Sequence, residues 1–242
     1  MEYTIFLVSS PFGGFGESFN PQNKFVERLK QSVGTNDVKA LFIASNPDNI
    51  EFTEGFSEAV YYNLKNTGIE VATYQILDGR NCEETVKLVD ESNFIILSGG
   101  HVPTQNSFFE KIRLREHLEH FSGVVLGISA GTMNSADVVY AQPEEEGEGN
   151  DPCFNKYLRG LNLTKANIIP HYQDIKNKIL DGKRLFEDIT YLDSMRKKFY
   201  ALPDGSYLYS YKDKERICGD AYLISDGVCR KICTDGEELE LL

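Results

Sequence analysis

The sequence predicts an α/β fold in which a doubly wound, mainly parallel sheet carries helices on both faces. Two observations predict it. Five short apolar segments in the first 140 residues alternate with segments of helical spacing, as in repeated strand–helix units. These apolar segments are unbroken, which is typical of strands buried on both faces. Right-handed crossovers should join the strands, in an order like that of flavodoxin.

The predicted elements follow one another regularly. The predicted strands are Thr4–Ser9, Ala40–Ser45, Glu70–Gln75, Asn93–Ser98 and Val124–Ile128. The predicted helices between them are Asn23–Val33, Thr53–Asn66, Cys82–Asp90 and Ser107–His120. The second helix shows the helical period most clearly, because Phe56, Val60 and Leu64 recur on one face and Gly68 follows as a stop signal.

The rest of the chain predicts an acidic loop followed by smaller elements. The loop covers residues 142–151, a short strand covers Ala166–Ile169, and a charged helix is expected over Asp181–Phe199. Asp-Gly pairs then mark hairpin turns near the C-terminus, at residues 204–205, 226–227 and 235–236. Since no linker or repeat divides the sequence, we expect one α/β domain over residues 1–242.

Composition excludes several classes of partner. A net charge of −12 over 242 residues argues against nucleic acid and anionic membranes, which need a basic face. The five cysteines are scattered without a Cys-x-x-Cys pair, which fits free thiols in a reducing cytosol and argues against a zinc site. The chain opens directly on a strand-like segment, without a signal peptide, so we expect a cytoplasmic protein. A homodimer remains an open alternative to a monomer.

The motif that indicates chemistry is Gly127–Gly131, a G-x-S-x-G sequence directly after the fifth predicted strand. This pattern is typical of a nucleophile elbow, a sharp turn from strand to helix with serine at its tip. Ser129 is therefore the candidate nucleophile. A serine hydroxyl needs an adjacent base, and His171 is the only histidine that follows Ser129 in the chain. It comes just after a predicted strand, and we expect it at the same sheet edge as Ser129.

Attack on a carbonyl would also need hydrogen-bond donors for the oxyanion. The N–H of Ala130, next to the nucleophile, is one expected donor, and the N–H of Gly100 is the other. Gly99, His101 and Asn106 are candidates for the substrate pocket, because they follow the neighbouring predicted strand.

The acid that would orient His171 is the least determined residue. In elbow hydrolases the order along the chain is serine, acid, histidine, so the acid should lie between Ser129 and His171. The carboxylates in that interval are Asp137, Glu144, Glu145, Glu146, Glu148 and Asp151. Asp137 is expected on the helix after the elbow, pointing away. The glutamates occupy the acidic loop, which could fold back over the site.

Several motifs together resemble the peptidase E (aspartyl dipeptidase) family of serine peptidases, to which cyanophycinases also belong. They are Gly127–Gly131, Ser98–Gly100, Gly160–Asn162 and Ile169–Tyr172, with further similarity at Leu114–Glu116 and Gly182–Arg184. The resemblance implies a class I glutamine amidotransferase-like fold and a Ser129–His171 pair. It also implies an acid at Glu144 or Glu145, and cleavage of short peptides after an N-terminal aspartate without metal or cofactor.

One segment departs from the family pattern. Members commonly carry Gly-Gly-Asn-Thr after the fourth strand, whereas this chain has His101 directly after Gly99 and Gly100. This loop helps to build the substrate pocket, so aspartyl specificity stays open. A carboxylate-binding pocket would want a cation. The cations available are Arg80, Arg113, Lys176 and Arg184. The alternatives are another amide or ester hydrolase, or a non-catalytic binding or regulatory protein on an amidotransferase-like scaffold.

Overall fold

The computed structural model describes residues 3–13, 18–34, 37–212 and 214–241. The strands are β1 (Thr4–Val8), β2 (Val38–Ile43), β3 (Val71–Leu77), β4 (Phe94–Leu97), β5 (Val124–Ile128), β6 (Val138–Tyr140), β7 (Tyr157–Arg159), β8 (Asn167–Ile169), β9 (Ile179–Leu180), β10 (Lys183–Arg184), β11 (Lys198–Ala201), β12 (Tyr207–Tyr211), β13 (Lys214–Cys218), β14 (Ala221–Ser225), β15 (Val228–Cys233) and β16 (Glu238–Glu240).

Most of the helices lie between the first strands of the chain. They are α1 (Phe25–Val33), α2 (Ile50–Asn66), α3 (Thr85–Asp90), α4 (Val102–Lys111), α5 (Leu114–Leu118), α6 (Ala130–Asn134), α7 (Tyr172–Ile175) and α8 (Tyr191–Asp193). Short 3₁₀ turns cover Gln22–Lys24 and Cys82–Glu84, and a π-helical turn covers Leu185–Thr190. In the described residues, no helix combines the length and apolarity needed to cross a membrane.

A central eight-stranded sheet has the order β16-β13-β12-β1-β5-β4-β2-β3. The five predicted strands, β1 to β5, are neighbours in this sheet and form its parallel part. This arrangement confirms the α/β class. Strands β3, β2, β4 and β5 lie side by side in the order of the first four strands of flavodoxin. Strand β1 lies next to β5, on the opposite side from β4. The C-terminal strands β12, β13 and β16 extend the sheet in antiparallel fashion beyond β1.

Apolar side chains of the parallel strands alternate between two clusters on opposite faces of the sheet. Leu7 and Leu97 belong to one cluster, while Phe6 and Ile96 belong to the other. All four side chains are buried. Each such burial stabilises the fold by about 1.5–3 kcal/mol relative to exposure. The unbroken apolar strands are therefore required by a sheet that is covered on both sides.

A second sheet of four strands has the order β15-β14-β11-β8. Its strand β8 pairs in parallel with β11, and a separate apolar cluster that includes Ile169 and Phe199 packs against it. The predicted strand Ala166–Ile169 thus belongs to this sheet and not to the central one. His171 consequently approaches Ser129 from a second sheet, which corrects the expectation that both residues end strands of one sheet.

Two predicted helices differ in the structure. The helix expected over Ser107–His120 begins earlier, with Pro103 in the first turn of α4, and it breaks at Arg113, whose φ of 52° is left-handed. The helix expected over Asp181–Phe199 is wrong for most of its length. Gly182, with a φ of +79°, reverses the chain between β9 and β10, and the π-helical turn and α8 follow before β11.

Candidate active site

Ser129 lies at the tip of a sharp turn between β5 and α6. Its φ of 50° and ψ of −106° are strained for a residue with a side chain, at a cost of about 1–3 kcal/mol. The turn is held on both sides, since the Ser129 N–H donates to the Val8 carbonyl at 3.2 Å and the Ser129 carbonyl accepts from Met133 N at 3.0 Å. The geometry is that of a nucleophile elbow.

The two glycines of the elbow are required by close approaches of the backbone. A Cβ on Gly131 would lie 2.4 Å from the Leu97 carbonyl oxygen at the end of β4. A Cβ on Gly127 would lie 2.9 Å from Leu7 Cδ2 and 3.0 Å from the Gly131 carbonyl oxygen. The elbow is also tied to β4, because Gly131 N donates to the Ser98 carbonyl at 3.1 Å.

His171 meets Ser129 as the sequence predicts. Its Nε2 lies 2.9 Å from Ser129 Oγ, within hydrogen-bond distance. The backbone of His171 is left-handed, with a φ of 56°, and its N–H donates to Ser9 Oγ at 2.7 Å. Ser9 directly follows β1, so the central sheet itself fixes the position at which the second sheet presents the imidazole.

The carboxylate that meets His171 is Asp204. His171 Nδ1 lies 2.8 Å from Asp204 Oδ1, and Ser9 Oγ donates to the same oxygen at 2.6 Å. The Asp204 N–H donates to Gln173 Oε1 at 3.0 Å, which fixes the turn that carries the carboxylate. With Nδ1–H donating to Asp204, Nε2 is left to accept the hydroxyl proton of Ser129.

This contact corrects the expectation that Glu144 or Glu145 orients His171. The acid follows the histidine in the chain instead of preceding it, because the chain leaves the second sheet after β11 and turns at Asp204 into β12. The Asp204-Gly205 pair indicated a turn, but nothing in the sequence indicated which side chain that turn would face. Ser9, which holds both His171 and Asp204, also escaped prediction.

The pKa values of the pair follow from burial and mutual attraction. Burial lowers the pKa of His171, but the hydrogen bond and charge of Asp204 outweigh it, and the net pKa lies above the ordinary 6.5. Burial raises the pKa of Asp204, yet the hydrogen bonds from His171 and Ser9 bring it below its ordinary value. The pair therefore favours an ionised carboxylate beside an imidazole that readily holds a proton.

Glu144 lies in the wall of the cavity beside Ser129. Its Oε1 is shielded from solvent and has no hydrogen-bond donor among the residues described. Burial is the main reason that its pKa rises to about 7, and the charge of Glu148 adds to the increase. The charges of His101 and Lys178 and the Val102 N–H act in the opposite direction.

The loop that carries Glu144 is held by a second acid–histidine contact. Glu148 Oε2 accepts the N–H groups of Glu144 and Glu145 at 2.8 and 3.0 Å. Glu148 Oε1 lies 2.8 Å from His101 Nε2, and His101 Nδ1 lies 2.8 Å from Thr104 Oγ1. The acidic loop is thus fixed to the start of α4.

The cavity beside Ser129 has a volume of about 270 Å³. The residues that line it are His101, Ser129, Met133, Gln142, Pro143, Glu144, Glu145, Ile169, Pro170, His171, Ile175, Lys178 and Leu185. A larger, open groove of about 700 Å³ lies against α2 and β3 on another part of the surface, and none of the described residues that line it is a histidine.

The predicted pocket residues separate into two groups. His101 lines the cavity, and Gly99 lies against the nucleophile, where a Cβ would be 3.5 Å from Ser129 Cβ. Asn106 does not reach the cavity. Its side-chain amide donates to Asn134 Oδ1 and to the Arg159 carbonyl, both at 2.9 Å, so this buried amide joins helices instead of contacting substrate.

The two expected oxyanion donors are the N–H groups of Ala130 and Gly100. Ala130 begins α6 directly after the nucleophile. Gly100 follows the end of β4 with a φ of +151°, and a Cβ there would lie 2.3 Å from Ser45 Oγ, so only glycine fits this close approach. Their role toward a substrate carbonyl stays a prediction.

The cations that could bind a substrate carboxylate lie elsewhere or have other partners. Arg80 pairs with Asp78 and Glu54, and Arg184 pairs with Asp188. Neither they nor Arg113 and Lys176 line the cavity. Lys178 does line it, and its Nζ donates to the Glu144 carbonyl at 3.0 Å.

Two sets of side chains in the described part of the chain could reach a single cation. One set is His101, Glu145 and Glu148, and the other is His171, Asp174 and Asp204. In both sets the histidine nitrogens already take part in the hydrogen bonds described above.

Comparisons with known proteins agree with this geometry. The family model of peptidase family S51 matches residues 6–218. A 1.5 Å crystal structure of a protein from Listeria monocytogenes EGD-e, described as a candidate peptidase E, has a similar fold with a TM-score of 0.59. It is 15% identical in sequence, and the match covers 96% of this chain and 99% of that one. No curated protein matches. Because the family match extends over most of its length, the chain belongs to peptidase family S51, the peptidase E family, and is a serine peptidase.

Proposed function

We propose that this peptidase hydrolyses short peptides through an acyl-enzyme on Ser129. The observation that carries the proposal is the unbroken hydrogen-bond chain from Ser129 Oγ through His171 to Asp204, with distances of 2.9 and 2.8 Å. A cavity of about 270 Å³ lies near the lower end of the usual range for ligand pockets, which fits a short peptide better than a long one.

In the first half of the reaction, Ser129 Oγ attacks the peptide carbonyl while His171 Nε2 takes the hydroxyl proton. Asp204 holds the imidazole in the required tautomer and stabilises its protonated form. The N–H groups of Ala130 and Gly100 bind the oxyanion. The C–N bond then breaks, and His171 delivers the proton to the leaving amine.

The second half returns the enzyme to its starting state. Water gives a proton to His171 Nε2 and attacks the ester carbon, and the bond to Ser129 Oγ breaks as that oxygen recovers a proton. Neither half needs a metal or cofactor. The family resemblance also implies a preference for an N-terminal aspartate, which would need a cation near the first side chain, and Lys178 is the cation that lines the cavity.

A panel of dipeptides, isopeptides and small esters tests the proposal. We expect wild-type protein to hydrolyse dipeptides, and we expect the Ser129→Ala variant to lose this activity. Ser107→Ala is the matched control, because this exposed serine on α4 lies outside the cavity. Hydrolysis confined to esters would instead support the alternative of an ester hydrolase.

The distance between Ser129 and His171 does not favour the alternative of a non-catalytic scaffold protein. That alternative would be favoured if Ser129 and His171 were too far apart to form a hydrogen bond. At 2.9 Å the two atoms are within reach of each other.

A further inference from the structure

The cavity beside Ser129 is lined by two chemically different kinds of side chain. Apolar ones are Met133, Ile169, Pro170, Ile175 and Leu185. Two carboxylates, those of Glu144 and Glu145, line the same cavity as the nucleophile and its base. A substrate that complements this lining should combine an apolar group with a positive charge.

The carboxylate of Glu144 has one oxygen, Oε1, without a protein partner among the described residues. Its Oε1 has no donor among the described residues although it is shielded from water, and an unpaired buried acceptor is unfavourable. The backbone of the loop at Glu144 is fixed, because Glu148 accepts the N–H groups of Glu144 and Glu145 while pairing with His101. A positively charged donor from a ligand would satisfy this oxygen.

The cavity is correspondingly poor in partners for a negative charge. Among the described residues, Lys178 is the only lysine or arginine that lines it, and its ammonium group already donates to the Glu144 carbonyl. Arg184, which directly precedes the lining residue Leu185, points its guanidinium at Asp188. An aspartate side chain would therefore meet two carboxylates and a single lysine with an existing partner.

We propose that the enzyme acts on peptides whose first residue has a free α-ammonium group and an apolar side chain, with the ammonium bound by Glu144. The apolar wall then receives the first side chain, while Ser129 attacks the carbonyl of the same residue. This inference rests on the proposed function and adds the substrate class to it. The position of Glu144 in the wall of the nucleophile's own cavity makes it a specificity-determining residue.

The experiment compares aminoacyl p-nitroanilides of leucine, methionine, lysine and aspartate with N-acetyl-leucine p-nitroanilide. We expect kcat/KM for leucine or methionine to exceed that for aspartate and lysine by about tenfold or more. Acetylation should lower kcat/KM by a similar factor or more, because it removes the charge that Glu144 binds.

A variant connects this preference to one side chain. In Glu144→Gln we expect KM for leucine p-nitroanilide to rise about 10- to 100-fold with kcat nearly unchanged, which is the loss of one charged hydrogen bond. The matched control is Glu146→Gln, an exposed residue of the same loop that does not line the cavity. The rate of Ser129 labelling by a fluorophosphonate should stay at the wild-type value in both variants, which shows that the site is folded.

The outcomes separate the two proposals. Hydrolysis with a preference for aspartate or lysine, equal hydrolysis of the acetylated substrate, or an unchanged KM in Glu144→Gln overturns the inference and leaves the peptidase activity standing. A loss of fluorophosphonate labelling in Glu144→Gln overturns it as well, since the residue would then support the nucleophile. If wild-type protein hydrolyses no peptide or anilide, the proposed function fails, and the inference fails with it.

Discussion

His171 must be neutral at Nε2 before it can take the proton of Ser129. Because Asp204 holds the pKa of His171 above 6.5, the imidazole gains its proton more readily than a free histidine does. The value of kcat/KM should therefore rise with pH through a point above 6.5, as the imidazole loses its proton. The carboxylate that orients His171 therefore also sets the pH of the acid limb of kcat/KM.

Asp204→Asn tests this relation. Removing the negative charge should lower the pKa of His171, so the acid limb of the kcat/KM profile should move to lower pH. The maximal rate should fall by about 10³- to 10⁴-fold, because an amide no longer fixes the reactive tautomer. Asp174→Asn is the control, since Asp174 acts on His171 through its charge alone and should cause a smaller shift. An unchanged acid limb in Asp204→Asn would contradict the assignment of Asp204.

Ser9 is a positioning residue for the same pair. Its hydroxyl accepts from the His171 N–H and donates to Asp204, so Ser9→Ala removes one partner from each. We expect kcat to fall about tenfold, with KM nearly unchanged, because the imidazole loses its alignment toward Ser129. Ser10→Ala is the neighbouring control. Equal kcat values in wild type and Ser9→Ala would show that the hydrogen bonds of Ser9 are not needed to position His171 and Asp204.

The elbow requires that helix α6 packs closely against the end of strand β4. Gly131→Ala would place a methyl group 2.4 Å from the Leu97 carbonyl oxygen, which belongs to the backbone of β4 and cannot move cheaply. We expect a loss of about 1–3 kcal/mol in the free energy of unfolding, measured by urea titration. Gly55→Ala on α2 is the opposite case.

A Cβ on Gly55 would meet no atom of the described residues within 4 Å, and Gly55 lies in the interior of a helix without a positive φ. Alanine there should stabilise the protein by about 0.5–1 kcal/mol, since glycine is the poorer helix former. If both glycine substitutions changed stability by the same amount and sign, the close contact between α6 and β4 would not be the reason for Gly131.

For the whole molecule, the balance of carboxyl groups sets the response to acid. Seven described carboxyl groups have a pKa below the ordinary value: Glu116, Asp137, Glu148, Asp188, Asp204, Asp226 and Glu238. Two, Glu144 and Glu215, are raised by burial. For the larger group, the unfolded chain binds protons more readily than the folded one, so their contribution is present above pH 4 and is lost below it.

We therefore expect the urea midpoint of unfolding to fall as the pH is lowered from about 5 to about 3. The two raised groups act in the opposite sense, because their protonation in the folded state favours folding as the pH falls. A midpoint that stayed constant or rose over this interval would show that the seven lowered carboxyl groups contribute less than the two raised, half-buried glutamates.

The architecture also explains how far the sequence could predict the site. The parallel strands and the Ser129 elbow are local features, readable from apolar runs and glycine spacing. His171 was identified because the chain offers a single downstream histidine. Asp204 lies 75 positions after Ser129 (204 − 129) and reaches His171 only because β12 returns to the central sheet beside β1. No local pattern records that return, and the usual chain order of the triad pointed to the acidic loop instead.

Covalent labelling tests whether Ser129 is a nucleophile that His171 activates. Wild-type protein is treated with a fluorophosphonate, and the adduct is located by mass spectrometry of its peptides. We expect one adduct, on the peptide that contains Ser129, with no labelling of folded Ser129→Ala and strongly slowed labelling of His171→Ala. Folded wild-type protein that takes up no label, or an adduct on another serine, would contradict the assignment of Ser129 as the nucleophile.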